Sequence, residues 1–263
     1  GEPLVRKDII KLIKNLNLKK SPEGLKEITL TTNGTLLKKF AKELKQNGIN
    51  RINVSLDTIN EKKYENITKF GNLTNVLNGI IEARKVGISI KINTVAIKNF
   101  NENEIEAIML WANQQKIDIT FIEVMPMEET DISRHLQFMP LDQVYDKINS
   151  NFNLTKISKN TGGPAIYYKS SKLNINVGFI TPITNNFCSS CNRVRISSTG
   201  KLYMCLGQND FVDLKFALRN QTKNDIIALI EYAMSIKPKA HNFEIQKDNF
   251  EGYVNRYMNE TGG

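Results

Sequence analysis

Metal-binding side chains are scarce in this chain: its 263 residues hold three cysteines and two histidines. Three cysteines at this length do not make a disulfide framework, and they favour a reducing compartment, the cytoplasm. No apolar run approaches the ~20 residues that span a bilayer. No short apolar run with a cleavage site stands near the start either, so neither a membrane span nor a secretory leader is expected. Acidic residues are outnumbered: 36 Lys+Arg face 27 Asp+Glu, a net charge of +9. Such a surplus favours anionic partners, although most of it is lysine in polar segments such as EKKYENITK, which read as solvated helix faces. The interleaving of basic and aromatic residues that stacks nucleic-acid bases is missing. The first residue is Gly1 rather than methionine, so the sequence is expected to begin inside a longer protein or to have been trimmed.

The few cysteines present stand together. Cys188, Cys191 and Cys205 lie in FCSSCNRVRISSTGKLYMC, with C-x2-C-x13-C spacing. A two-residue gap lets two thiolates meet one metal centre from a single turn, and the third arrives from a hairpin. Thiolate sulfur suits zinc or an iron–sulfur cluster. A structural zinc site needs four ligands, and of the two histidines only His241 is a candidate fourth, His135 being remote. Three cysteines also fit a 4Fe–4S cluster with one iron left open, although such clusters usually carry four. Incidental free thiols are the plain alternative. Arg193 and Arg195 follow at once, two apart, so on a strand both point to one face with Val194 on the other. Paired arginine forks bind phosphate or carboxylate.

The chain is long enough for one large domain or two modest ones. Its first half alternates apolar Ile/Val runs with helix-period stretches. Strands are expected at Ile28–Thr32, Ile52–Leu56, Ile90–Val95 and Ile117–Val124, and helices at Asp8–Leu18, Leu36–Asn47, Asn75–Val86 and Glu102–Gln115, with Gly87 closing the third helix. Repeated βα units imply a parallel sheet with helices outside. In barrel-type folds the C-terminal strand ends carry the site, so Thr31, Thr32, Asn33, Ser55, Asp57, Glu123 and Met125 should converge on one mouth. Lys91 interrupts an apolar strand. Facing inward it needs an anion or water, because an unpaired buried charge is costly; facing outward it is a surface lysine. The second half changes character. A helix is expected at Leu141–Ile148, then strands at Ala165–Lys169, Leu173–Ile180, Val194–Ser197 and Lys201–Leu206, then helices at Phe211–Leu218 and Lys223–Ser235. The tail beyond Lys237 shows no period. Its last residues, Gly262 and Gly263, read as a frayed terminus.

Together these segments resemble a known family. Gly1-Glu2-Pro3 looks like a GGEP motif of radical S-adenosylmethionine (SAM) enzymes, cut between its glycines. TTNG, RINVSLD, the strand with Lys91, FIEVMP, CxxCNRVR…C and the terminal double glycine occur in the same order in the GTP 3′,8-cyclase family of molybdenum-cofactor biosynthesis. The resemblance implies an α/β fold: a partial (β/α) barrel over residues 1–130 lacking its first βα unit, then an α+β auxiliary-cluster region over 131–263. It implies SAM contacts at Gly1, Ser55 and Met125. GTP contacts fall at Thr31, Lys91, Arg193, Val194 and Arg195. Cys188, Cys191 and Cys205 would hold an auxiliary 4Fe–4S cluster with the purine of GTP at its open iron. Gly262 and Gly263, with Arg193 and Arg195, would assist the radical step. That step takes hydrogen from the ribose 3′ carbon and joins that carbon to carbon 8 of guanine, giving (8S)-3′,8-cyclo-7,8-dihydroguanosine 5′-triphosphate.

Two departures stand out. The CxxxCxxC motif of the second, SAM-cleaving 4Fe–4S cluster is absent, so this chain by itself is expected to be inactive. Thr120 occupies a position that usually carries an arginine facing triphosphate. The expected partners are GTP, SAM, an electron donor of unspecified identity, and downstream the cyclic pyranopterin monophosphate synthase. A homodimer is left open; no membrane or nucleic acid is expected. Two other readings remain: another radical SAM enzyme with an auxiliary cluster, or a zinc-stabilised basic nucleic-acid-binding domain.

Overall fold

The computed structural model describes residues 1–127, 134–241, 243–246, 249–251, 254, 256 and 258–261. The chain forms two compact units. The larger comprises Glu2–Glu123 and Met139–Ile180; the smaller comprises Gly1, Val124–Phe138 and Thr181–Gly263. Among the described residues no helix is long and apolar enough to cross a membrane.

The larger unit is built on βα repeats. α1 (Ile9–Asn17) precedes β1 (Thr29–Thr32), α2 (Leu37–Gln46), β2 (Arg51–Ser55), α3 (Glu61–Thr68), α4 (Leu73–Lys85), β3 (Ser89–Ala96), α5 (Ile105–Gln114) and β4 (Asp118–Glu123). After α6 (Arg134–Gln137), which belongs to the smaller unit, come α7 (Leu141–Phe152), β5 (Thr155–Ile157), β6 (Ile166–Lys169) and β7 (Val177–Ile180). The seven strands make one sheet in the order β1-β2-β3-β4-β7-β6-β5. Pairing is parallel from β1 through β4 to β7, and antiparallel from β7 to β6 and β5. The parallel sheet with outer helices is the expected α/β class. The sheet nevertheless takes three strands from beyond residue 130, where the sequence suggested a domain change.

Strand periodicity gives the sheet two chemically different faces. One carries Ile52, Val54, Ile90, Ile92, Ile119, Phe121, Val177 and Phe179, all buried in the main core with Leu37, Leu44, Val76, Ile80, Ile108 and Met109 of the helices. The other, in register across the strands, carries Thr31, Asn53, Ser55, Lys91, Asn93, Thr120, Gly178 and Tyr167. The crossover helices have local stops. Asn72 caps α4 by accepting from Asn75 N–H (2.9 Å). Gly87 ends it at φ +80°, a conformation a β-carbon resists.

The smaller unit holds β8 (Arg195–Ile196), β9 (Lys201–Tyr203) and β10 (Phe211–Asp213) in one antiparallel sheet, then α8 (Leu214–Asn220) and α9 (Lys223–Ser235). A second antiparallel pair, β11 (Glu244–Gln246) and β12 (Asn249–Glu251), lies in the tail that showed no period. Two further expectations need correction. Phe211–Leu218 is not one helix: Phe211–Asp213 pairs with β9, and the Asp213 carboxylate then accepts from Phe216 N–H (2.8 Å) to start α8. The strand expected from Leu173 begins only at Val177, because Asn174 N–H and Asn176 N–H are taken by the side chains of Asn113 (2.7 Å) and Asp118 (2.8 Å).

Candidate functional site

In the larger unit the polar face of the sheet carries Thr31, Ser55 and Lys91 of the expected site residues. Lys91 stands on it, half-buried, so the strand does turn its lysine to the polar side. Its ammonium donates to the Tyr167 hydroxyl (3.3 Å), and among the described residues it has no ion pair. The carboxylate in register with it, Asp118, is already engaged by Lys159 Nζ (2.5 Å) and by Asn176. Burial disfavours that carboxylate's charge, but Lys159 and Asn176 outweigh it and hold Asp118 below the usual value. Around Lys91 lie polar atoms that are buried and lack partners: Asn53 Oδ1, Asn93 Oδ1 and Thr120 Oγ1. Buried polar atoms are normally satisfied; the ammonium suits an anion, while the two amide oxygens, which only accept, suit N–H or O–H groups of the same ligand. Asn53 Nδ2 points to Thr31 Oγ1 at 3.4 Å, which ties Thr31 to the same surface.

At the strand ends, Glu2 organises the TTNG turn. Its carboxylate caps Leu4 N–H (3.0 Å) and accepts from Thr32 Oγ1 and Asn33 N–H (2.7 Å each). Gly34 follows at φ +78°, where an added β-carbon would meet Val76 Cγ1 at 2.8 Å. Ser55 is exposed at the end of β2. Asp57 accepts from Val95 N–H (2.8 Å), and the buried Asn101 joins the Asp57 and Val95 carbonyls (2.7 and 2.8 Å).

In the smaller unit the cysteines share one neighbourhood. Cys188 opens a 3-10 turn, and Cys191 closes it with N–H donating to Cys188 O (3.1 Å). Cys205 follows β9. Lys237 Nζ donates both to Arg193 O (2.9 Å) and to Met204 O (2.6 Å), so it links the segment carrying Cys191 to the one carrying Cys205. Arg256, buried, donates to the Cys205 and Gln208 carbonyls (3.2 and 2.7 Å) and stacks on Tyr203 at 4.2 Å. Arg193 reaches Cys191 Sγ (3.6 Å) and lies over the Phe187 ring. Arg193 and Arg195 are both half-buried, with Val194 exposed between them, the alternation expected for one face.

The thiols sense these neighbours. Burial opposes the Cys191 thiolate, but the Arg193 N–H and guanidinium, with Lys237, outweigh it and leave the thiol below its usual value. Burial pushes the Cys205 thiol up, Cys188 and Cys191 add to this, and Gly207 N–H and Lys237 oppose it. Burial, with Arg193 and Arg256 nearby, lowers Arg195. Arg195 also donates to Thr261 O (3.4 Å), the residue before the terminal glycines. Gly262 and Gly263 themselves lie outside the described residues.

His241 is not a free zinc ligand. Phe243 N–H donates to its Nδ1 (3.2 Å), which leaves Nε2 protonated and donating to Pro182 O (2.8 Å). Among the described residues no three His, Cys, Asp or Glu side chains close around a single ion position. The three thiols, with Arg193 and Lys237 favouring the Cys191 thiolate, are soft donors of the kind that zinc or an iron–sulfur cluster takes.

Met125, two residues past the end of β4, packs beside the small cluster of Met127, Phe243 and Val254 in the smaller unit. Gly1 is exposed. Sequence reasoning missed Tyr167, Asn53, Lys237 and Arg256. For Tyr167 one signal was available: Gly178, a glycine inside the strand VGFI, marks close approach by another group.

A family model described as Radical SAM superfamily matches residues 1–112, and one described as Molybdenum Cofactor Synthesis C matches residues 117–243. The chain is 50% identical over 264 residues to the GTP 3′,8-cyclase of Brucella ovis and, equally, to that of Brucella canis, covering 100% of this chain and 77% of each relative. Among solved structures, Streptococcus suis SuiB bound to S-adenosylmethionine aligns with TM-score 0.52 and 18% identity, over 90% of this chain and 54% of its own, a likeness of fold. Identity at half of all positions along the whole chain, with both family models matching in order, means that the chain belongs to the GTP 3′,8-cyclase family of radical SAM proteins.

Proposed function

We propose that this chain carries the GTP-binding and auxiliary-cluster parts of a GTP 3′,8-cyclase, which converts GTP to (8S)-3′,8-cyclo-7,8-dihydroguanosine 5′-triphosphate for molybdenum-cofactor biosynthesis. One observation carries the reading most directly: Lys91 is unneutralised on a polar sheet face, amid three buried polar atoms without partners. Thr31, Lys91, Arg193, Val194 and Arg195 are the residues assigned to GTP binding. Cys188, Cys191 and Cys205 hold a 4Fe–4S cluster, and the neighbouring cations offset its thiolate charge. Gly1, Ser55 and Met125 contact SAM. When bound, SAM and an iron–sulfur cluster supply the radical chemistry, and the protein's share is binding, orientation and exclusion of side reactions. Holding the reacting carbons close is worth roughly 7–11 kcal/mol of barrier at best. The protein works in the cytoplasm and passes its product to the next enzyme, a cyclic pyranopterin monophosphate synthase.

The test is anaerobic reconstitution with iron and sulfide, followed by metal analysis and paramagnetic resonance with and without GTP. The expected result is stoichiometric iron and sulfide and a spectrum that GTP perturbs. Stoichiometric zinc without iron overturns the cluster assignment, and a GTP-insensitive spectrum removes the substrate from the cluster.

A further inference from the structure

The Tyr167 ring, from β6, crosses β7 toward β4, where the Lys91 side chain from β3 meets its hydroxyl. Tyr167 is paired with Gly178 on β7, and Gly178 with Thr120 on β4. A β-carbon at Gly178 would stand 2.9 Å from both Tyr167 Cε1 and Thr120 Oγ1, so the absent side chain is what lets the ring lie across the strand. The ring is buried, at 1% exposure. Its hydroxyl ends 3.3 Å from Lys91 Nζ and 3.2 Å from Thr161 Oγ1. An ammonium can only donate, so the phenol oxygen accepts from Lys91 and its single proton is free for Thr161. Thr161 is held in turn, because its carbonyl accepts from Arg51 (3.2 Å), which is itself paired with Glu27 (2.8 Å). Lys159, from the same segment, covers the ring at 5.4 Å and removes Asp118 as a competing partner for Lys91.

We infer that Tyr167 is a positioning residue for Lys91, fixing the ammonium where it meets the phosphates of the nucleotide. A lysine side chain carries large rotamer entropy. A neutral acceptor holds one N–H without cancelling the charge, and two N–H groups remain for phosphate oxygens. A carboxylate at the same place would neutralise the site, and bare solvent would leave the side chain mobile. The inference rests on the reading of Lys91 as a GTP contact.

The experiment measures binding of GTP and of guanosine, by calorimetry, to the anaerobically reconstituted chain and to Lys91→Ala, Tyr167→Phe and Gly178→Ala. Tyr167→Phe keeps the ring and removes only the hydroxyl. It is expected to weaken GTP about tenfold, the scale of one hydrogen bond to a charged group. Guanosine affinity and the thermal midpoint should stay near those of the parent. Gly178→Ala, which displaces the ring but keeps the hydroxyl, is expected to show the same selective loss; if it does not fold, the phenylalanine variant decides. No GTP binding by the parent, or unchanged binding in Lys91→Ala, overturns the GTP reading and this inference with it. Loss in Lys91→Ala with unchanged GTP affinity in Tyr167→Phe overturns this inference alone, as does a Tyr167→Phe loss that is equal for GTP and guanosine.

Discussion

Asp57 ends the SLD segment with a carboxylate held among β2, β3 and Asn101. Burial raises its pKa from 3.8 to about 6, against the opposing pull of the Val95 N–H. The folded chain therefore keeps a proton that the unfolded chain releases between pH 3.8 and about 6. Stability falls as pH rises through that window, and the penalty is complete above it. Asp57→Asn keeps an acceptor for Val95 N–H and removes the charge. Its expected gain at pH 7 is at most about 3 kcal/mol, shrinking toward zero near pH 4. Urea unfolding at the two pH values checks this, and an equal gain at both would sink it. Residues differ in how readable they are. The cysteine trio and its arginines announce themselves through spacing and chemical rarity. Tyr167 does not, because an aromatic in IYYK reads equally well as core. The role of His241 depended on two hydrogen bonds to Phe243 and Pro182, which no spacing rule reports.

Elements with a strong period were legible, and those made by local capping were not. The four strands β1–β4 and the helices α1, α2, α4 and α5 lie within three residues of their expected bounds. The β10–α8 junction was misread because FVDLKFAL has helical spacing throughout; pairing to β9 and the Asp213 cap divide it. α9 shows the same physics in its favour. Thr222 Oγ1 accepts from Asp225 N–H (3.3 Å) while the Asp225 carboxylate accepts from Thr222 N–H (3.0 Å), a capping box. Thr222→Ala is expected to lose about 1 kcal/mol of stability and Thr222→Asn to recover it. A urea midpoint that does not move in the alanine variant would show that α9 is held by packing alone.

At the scale of the whole molecule, cysteine count limits chemistry. All three cysteines lie in one trio, so thiolates for a second, SAM-cleaving cluster are not in this sequence. The 263-residue chain, reconstituted and reduced, is expected to release no sustained 5′-deoxyadenosine from SAM and GTP. Chromatographic detection of multiple turnovers would overturn that. Within the net charge of +9, the cations proposed to bind GTP, Lys91, Arg193 and Arg195, are half-buried, as are Lys20, Lys63 and Lys201 elsewhere. Sequence alone determined the βα order, the clustering of the three cysteines and the shared face of Arg193 and Arg195, because each depends on residues close along the chain. Tertiary structure alone decided that Asp118 is spent on Lys159, that Gly178 admits the Tyr167 ring, and that β5–β7 extend the first sheet. Each of these depends on which distant residues meet in register, and a local pattern of side chains does not encode that.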